Sequence, residues 1–230
     1  MKAIDRLLQV RCPGVCFYVL RDKDELYLID SGFVGGFKLL ERALRERGWS
    51  HLPIRGILLT HGHLDHILNV QSIVAASGCW VAAHPLDQAH CEGNYPYRGK
   101  AMVCGYLEHA GRAIFGFSPF KIDRWFNDGE TLPIWGGLRV IHLPGHTDGH
   151  CGFYSESHLL LFSGDLIASH RMLSHLPPKI LNTQPELIPQ SIQRALDLKP
   201  LGIAPNHCDR APFSEHLSRL QKLANEAPSY

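Results

Sequence analysis

The stretch Thr60-His61-Gly62-His63-Leu64-Asp65-His66 carries three histidines and one aspartate within six positions. It directly follows Ile57-Leu58-Leu59, an apolar run typical of a buried strand. Because successive side chains of a strand point to opposite faces, alternate imidazoles at its end face the same space. We therefore predict a metal site here, with its remaining ligands supplied from elsewhere in the chain.

Composition bounds the class of protein. The chain has 230 residues, of which 45% are hydrophobic and 20% charged, as in an ordinary globular protein. A net charge of +1, without a long run of Lys and Arg, argues against nucleic-acid binding. The sequence shows neither a signal peptide nor the roughly 20 apolar residues of a membrane span. Seven scattered cysteines favour reduced thiols. We expect a cytoplasmic protein without membrane or nucleic-acid partners; its oligomeric state stays unknown.

Strands and helices alternate along the first half of the chain, which indicates an α/β architecture. Apolar runs predict strands, and apolar residues at helical spacing predict helices that alternate with them. The predicted strands are 15–20, 26–29, 54–59 and 80–83, and the predicted helices are 37–47 and 67–76. Residues 86–119 interrupt this rhythm, and we interpret them as a partly helical insertion.

The pattern restarts after residue 119. Short strands are predicted at 120–126, 131–135, 138–143, 152–154, 159–162 and 201–204, and helices at 185–198 and 213–225. Both halves contain strands, then a helix, then a strand that ends in histidine. We therefore predict a single domain over 1–230, with pseudo-duplicated halves at about 1–118 and 119–230 and the site between them.

Further candidate ligands follow predicted strands in the second half: His146, Asp165 and His207. With these residues the sequence closely resembles the metallo-β-lactamase superfamily. The metal-binding motif of that family is matched by His61 to His66, its later ligands by the three residues above, and its early structural aspartate by Asp30. The motifs occur in the right order and span nearly the whole chain. We expect Asp30 to brace the site rather than to bind metal.

The resemblance implies a four-layer αβ/βα sandwich of two mixed β-sheets flanked by helices, with two divalent metal ions between the sheets. Position by position, it implies that His61, His63 and His146 hold the first ion, that Asp65, His66 and His207 hold the second, and that Asp165 bridges both. Imidazole and carboxylate ligands without thiolate favour Zn²⁺, with Fe or Mn as alternatives. Asp65 is also the candidate catalytic residue, since it could orient the attacking hydroxide or relay its proton.

The residue type at 165 narrows the reaction. Zinc β-lactamases that resemble this fold usually have Cys or Ser there, so Asp165 argues against antibiotic hydrolysis. Thioesterases similar to glyoxalase II and persulfide dioxygenases have an aspartate, but usually follow it with a Gly-Arg segment that grips glutathione. This chain instead continues Leu166-Ile167-Ala168-Ser169-His170-Arg171-Met172. We therefore expect a dinuclear metal-dependent hydrolase that opens a small ester, thioester or lactone.

Three alternatives stay open at this stage. One is a mononuclear iron dioxygenase acting on a persulfide with His61, His146 and Asp165 as its facial triad. Another is a metal-containing ligand-binding protein without turnover, and a third is hydrolysis of a phosphodiester. Recognition of the small-molecule substrate is expected in the 86–119 insertion and the 166–184 loop. Candidate pocket residues there are Tyr95, Tyr97, Arg98, Phe117 and His170.

Overall fold

The computed structural model describes residues 3–94, 97 and 102–226; Tyr95 and Arg98 lie outside the described residues. Within them, the first half of the chain forms a six-stranded mixed sheet. Its strands follow one another in sequence order: β1 (Leu7–Arg11), β2 (Cys16–Asp22), β3 (Glu25–Ile29), β4 (Ile54–Leu58), β5 (Trp80–Ala83) and β6 (Arg124–Trp125). The first three are antiparallel, and β3 to β6 are parallel. Its helices are α1 (Gly36–Arg47), α2 (Leu64–Ile67), α3 (Val70–Ser77), α4 (Gln88–Glu92) and α5 (Met102–Phe115).

The second half forms a mixed sheet of five described strands, in the spatial order β11, β10, β9, β8, β7. These strands are β7 (Thr131–Leu132), β8 (Leu138–His142), β9 (Cys151–Ser155), β10 (Leu160–Ser169) and β11 (Gly202–Cys208). Strands β10 and β11 are parallel and are connected through helix α6 (Ile188–Asp197), as a parallel pair requires. The last described helix is α7 (Phe213–Glu226).

Three apolar clusters separate four layers of secondary structure. Alternate residues of β2 point to opposite sides of the first sheet: Phe17 packs towards the helices α1 and α3, whereas Tyr18 packs between the two sheets. In the second sheet, Phe162 joins the cluster between the sheets, and Leu161 joins the cluster beneath α6 and α7. Each sheet is thus buried on both faces, which confirms the predicted four-layer sandwich of two mixed sheets flanked by helices.

Element boundaries differ from prediction where side chains replace regular backbone pairing. The helix predicted at 67–76 is two helices, because Asn69 leaves the helix and its amide donates to backbone carbonyls of residues 31–33. The strand predicted at 120–126 is reduced to β6, and Phe120 instead packs against the first apolar cluster. Strand β1 was not predicted. The insertion is partly helical, as expected, with α4 and α5 in its described part.

The predicted placement of Asp165 and His207 beyond the ends of strands is wrong. Strand β10 continues through Asp165 to Ser169, and β11 continues through His207. The pairing of β10 with β11 shifts register on both sides of Gly164, which has φ 54°. A side chain at Gly164 would clash with His150 Nε2, so this bulge depends on glycine.

No helix of the described chain combines the length and apolarity needed to cross a bilayer.

Candidate metal centre

The structure brings all seven predicted ligands together between the two sheets. They form three overlapping sets of three, and within each set the candidate ligand atoms lie within 4.8 Å of one another: His61, His63 and His146; His61, His66 and Asp165; Asp65, His66 and His207. The first sheet contributes the loop after β4 and the helix α2, and the second contributes the loop after β8 together with β10 and β11. The site therefore needs both halves of the chain.

Four of the five imidazoles are held by their Nδ1 atoms. His66 Nδ1 lies 2.9 Å from Asp30 Oδ2, His146 Nδ1 lies 2.8 Å from Asn182 Oδ1, and His207 Nδ1 lies 2.8 Å from the Gly14 carbonyl. Thr60 Oγ1 donates to Asp30, so it accepts from His61 Nδ1 at 3.0 Å. Each acceptor fixes a proton on Nδ1 and leaves the Nε2 lone pair available, which is the arrangement that metal-binding histidines need.

The free nitrogens converge on Asp165. Its Oδ1 lies 3.3 Å from His66 Nε2, and its Oδ2 lies 3.5 Å from His146 Nε2 and 3.1 Å from His207 Nε2. The Nε2 atoms of His61, His66 and His146 and the Oδ1 of Asp165 are buried without a hydrogen-bond partner. Buried polar atoms are normally satisfied, so this cluster of unpartnered nitrogen and oxygen atoms fits the binding of cations.

Charges around the centre also favour cations. Burial alone would lower the pKa of His207, but the carboxylates of Asp165 and Asp65 outweigh it and raise that pKa to about 12. Burial would also lower the pKa of His66, but the nearby aspartates outweigh this effect and raise that pKa. Without metal, protons therefore supply the positive charge that the carboxylates require, and metal ions would have to displace them.

Asp30 braces the site, as the sequence predicted. This buried residue adopts the left-handed conformation, with φ 63°. Its carboxylate accepts hydrogen bonds from Thr60 N and Oγ1, both at 2.7 Å, from His66 Nδ1, and from Asn206 Nδ2 at 2.8 Å. One side chain thereby fixes the histidine loop, helix α2 and strand β11.

His63 differs from the other four imidazoles, because the insertion contacts its Nε2 atom instead of its Nδ1 atom. Its Nε2 lies 2.5 Å from Tyr97 Oη and 3.9 Å from Glu108 Oε1, so Nδ1 is the nitrogen left for a metal. Burial raises the pKa of the Glu108 carboxyl to about 8, although Arg112 lowers it. The insertion therefore contacts a candidate ligand directly, through Tyr97 and Glu108.

Two further residues, which sequence analysis did not identify as functional, orient the centre. The Asp87 carboxylate accepts from Gly62 N at 2.6 Å and from Gly149 N at 2.9 Å, and so joins the two histidine-bearing loops. His150 Nε2 accepts from Asp165 N at 3.0 Å while its Nδ1 donates to the Leu143 carbonyl. Burial, assisted by His146, lowers the pKa of His150 to about 3, which keeps this acceptor unprotonated.

Asn182 is the third orienting residue that the sequence did not reveal, and its removal tests the role of ligand orientation. Asn182→Ala deletes the acceptor for His146 Nδ1, so we expect metal affinity to fall by about 10–100-fold. Asn182→Asp is the matched control, because it retains an acceptor at the same place. Metal affinity is measured by competition with a chelator. Equal affinities for the alanine variant and the wild type would contradict the assigned role.

A cavity of about 250 Å³ opens beside the centre, and His146, Asp165 and His207 belong to its lining. The predicted contact residue His170 lines it. Phe117 packs against the first apolar cluster, with the Arg112 guanidinium 4.1 Å from its ring centroid.

A family comparison agrees with this geometry. The family description "Metallo-beta-lactamase superfamily" matches residues 10–207. The chain belongs to this superfamily. Among curated relatives of this metallo-β-lactamase-fold protein, the hydroxyacylglutathione hydrolase GloC of Haemophilus influenzae is 30% identical over 156 residues. That match covers 66% of each chain, just under two thirds of the relative's own length.

Solved structures show the same fold. The metallo-β-lactamase family protein TTHA1429 from Thermus thermophilus superposes with a TM-score of 0.76 at 23% identity, covering 96% of this chain and 79% of that one. TTHA1623, solved in a di-iron-bound form, superposes with a TM-score of 0.67 at 27% identity, covering 92% and 96%. The superfamily match and the His/Asp cluster together indicate a centre for divalent metal ions.

Proposed function

We propose that this protein is a dinuclear metal-dependent hydrolase that cleaves a small ester, thioester or lactone. The observation that carries the proposal is the convergence of unpartnered imidazole nitrogens on Asp165. The relative named as a hydroxyacylglutathione hydrolase supports hydrolysis of an acyl bond. Free, buried cysteines at all seven positions support a reducing, cytoplasmic compartment. The single domain with duplicated halves stays a prediction.

Two ions are proposed because the ligands divide into two sets. His61, His63 and His146 would hold the first, and Asp65, His66 and His207 the second. Asp165 Oδ2 lies between His146 of the first set and His207 of the second, which suits a shared ligand. A mononuclear iron site would use only His61, His146 and Asp165 and would leave the second set without a role. Zn²⁺ is the proposed metal, and the di-iron form of TTHA1623 keeps iron as the alternative.

When bound, such ions supply a hydroxide nucleophile at neutral pH and polarise the carbonyl oxygen of the substrate. The residues of the chain position the reacting groups and move the proton. Asp65 suits the second task, because 32% of its side chain is exposed, against 10% for Asp165. Its Oδ2 lies 3.3 Å from His207 Nε2, so the carboxylate is oriented while its other oxygen remains available to hold the proton that the leaving group needs.

Metal removal tests this proposal. We expect protein stripped with a strong chelator to lose hydrolysis of all responsive esters, thioesters or lactones, and to recover it when about two equivalents of Zn²⁺, Fe²⁺ or Mn²⁺ are added. Elemental analysis of protein purified without added metal identifies the native ion. Full recovery at one equivalent would contradict a dinuclear site.

The matched variants are His63→Ala, which removes a proposed ligand, and His51→Ala, which removes an exposed histidine in the turn before β4. Only the first is expected to lose metal and turnover. Full turnover by His63→Ala on every responsive substrate would contradict the hydrolase proposal.

A further inference from the structure

We infer that the cavity beside the metal centre accepts a short, uncharged acyl chain, so that the substrates are neutral acyl esters, thioesters or lactones of about six carbons. This inference rests on the proposed hydrolysis, because it requires the reacting carbonyl to lie at His146, Asp165 and His207. Those three residues are part of the lining of the cavity. A carbonyl held there would direct its acyl chain along the remaining walls.

The walls beyond the metal ligands are mainly apolar. They consist of Ile167 and Ala168 from β10 and of Pro177, Pro178 and Leu181 from the loop that follows it. No lysine or arginine is among the described residues that line the cavity. Burial of a carboxylate against such walls costs free energy that no basic partner offsets, whereas burial of methylene groups is favourable.

Two histidines complete the lining, and neither provides a buried anion site. His175 Nδ1 lies 2.8 Å from the Leu176 carbonyl oxygen and must donate to it, so in the neutral ring Nε2 carries a lone pair that repels a carboxylate. His170 is exposed to solvent, where water weakens its attraction to an anion. The lining therefore favours a neutral acyl group.

The loop that forms the outer wall is fastened in place. His175 and Ala168 exchange backbone hydrogen bonds of 2.9 and 3.0 Å, and Thr183 N donates to the His146 carbonyl at 3.1 Å. Cys104 of α5 donates to the Ile180 carbonyl at 3.2 Å, and Asn182 Nδ2 donates to that of Pro177 at 3.1 Å. A wall fixed at both ends and in the middle can select by size.

The cavity volume limits the length of the acyl chain. A volume of about 250 Å³, at about 30 Å³ for each water-sized group, sets an upper limit of roughly eight non-hydrogen atoms, and a hexanoyl group lies within that limit. A separate groove also reaches His207, and its lining includes Asp65, Phe33, Leu107 and Phe115. We assign the leaving group to that groove, so acyl chain and leaving group contact different residues.

The inference is tested with N-acetylcysteamine thioesters of acetyl, butanoyl, hexanoyl, octanoyl and decanoyl groups, which share a neutral leaving group. We expect kcat/KM to be greatest near hexanoyl. Adipoyl and 6-methylheptanoyl thioesters have nearly the same shape but differ by one charge, and we expect the adipoyl compound to react at least about tenfold more slowly.

Variants at Leu181 test whether the acyl chain of the substrate lies in this cavity. Leu181→Trp fills the cavity and should move the optimum to shorter chains, whereas Leu181→Ala should move it to longer ones. Leu201→Ala, at an exposed leucine outside the cavity, is the matched control and should leave the profile unchanged. Metal content is measured for each variant. A faster adipoyl thioester, or a chain-length profile that ignores both Leu181 variants, would overturn the inference.

Binding without turnover separates this inference from the proposed function. Calorimetry of the metal-loaded protein is carried out with hexanamide and with the monoamide of adipic acid, neither of which carries a labile ester. Saturable binding of hexanamide that Leu181→Trp abolishes supports the acyl cavity even if every thioester is inert, in which case hydrolysis alone is refuted. Equal or tighter binding of the charged monoamide would overturn the acyl assignment even if hydrolysis is found.

Discussion

Asp165→Asn is expected to lower kcat/KM by about 10³-fold on any responsive substrate, beyond the 10–100-fold typical of residues that only orient a ligand. Asparagine preserves the shape of the side chain but removes its negative charge. It also places an NH₂ group at one of two positions. One is that of Oδ1, which faces His66, and the other is that of Oδ2, which faces His146 and His207. The substitution thus weakens the binding of both proposed ions, since the same carboxylate would be a ligand of each.

Metal stoichiometry distinguishes this explanation from a folding defect. We expect Asp165→Asn to bind fewer than two ions by elemental analysis while its circular dichroism spectrum resembles that of the wild type. Asp197→Asn, at an exposed position of α6, is the matched control and should retain both ions and full turnover. A fully loaded Asp165→Asn protein with turnover within fivefold of the wild type would refute the shared-ligand role.

The residues of the candidate site could be predicted because each lies in a short motif with its own chemistry. His61, His63, Asp65 and His66 follow a recognisable strand, and the later candidates His146, Asp165 and His207 come after apolar segments that the sequence marks as strands. All seven converge in the structure, although their role as ligands stays a proposal. The residues that orient them lack such a signal: Asn182 lies 36 positions from His146, and Asp87 lies 25 from Gly62. A hydrogen bond between distant segments depends on the tertiary fold, and a local pattern does not encode it.

The strands and helices of the fold were also predictable from local sequence, but only where the pattern of apolar residues matches the pattern of burial. Strand β5 matches its prediction because its apolar residues fill both faces of the sheet. Helix α1 ends where Gly48 adopts φ 73° and its N–H reaches the last carbonyls. Prediction failed at 120–126, where the apolar pattern reflects packing of side chains rather than strand pairing. It also failed at Asp165, because β10 continues through the bulge at Gly164 beyond the predicted end of the strand at residue 162.

Asp30→Ala is expected to produce the largest loss of stability, about 3–5 kcal/mol in the free energy of unfolding. The substitution leaves four buried donors without their acceptor, and unsatisfied buried donors typically cost about 1–3 kcal/mol each before water enters. Alanine is also disfavoured at φ 63°, where the left-handed conformation costs a non-glycine residue about 1–2 kcal/mol. Thermal unfolding of the metal-free protein should occur roughly 10 °C or more below that of the wild type.

Two companion variants separate the carboxylate from the backbone. Asp30→Gly tolerates φ 63° but lacks the acceptors, so it should still lose most of the stability that alanine loses. Asp30→Asn tolerates the conformation and keeps one acceptor oxygen, so its loss should be the smallest of the three. Denaturant titrations give the free energies. Stability of Asp30→Gly within about 1 kcal/mol of the wild type would mean that backbone strain, rather than the hydrogen bonds to Thr60, His66 and Asn206, accounts for the effect of alanine. Asp30 would then not be the brace that joins the two halves of the metal centre.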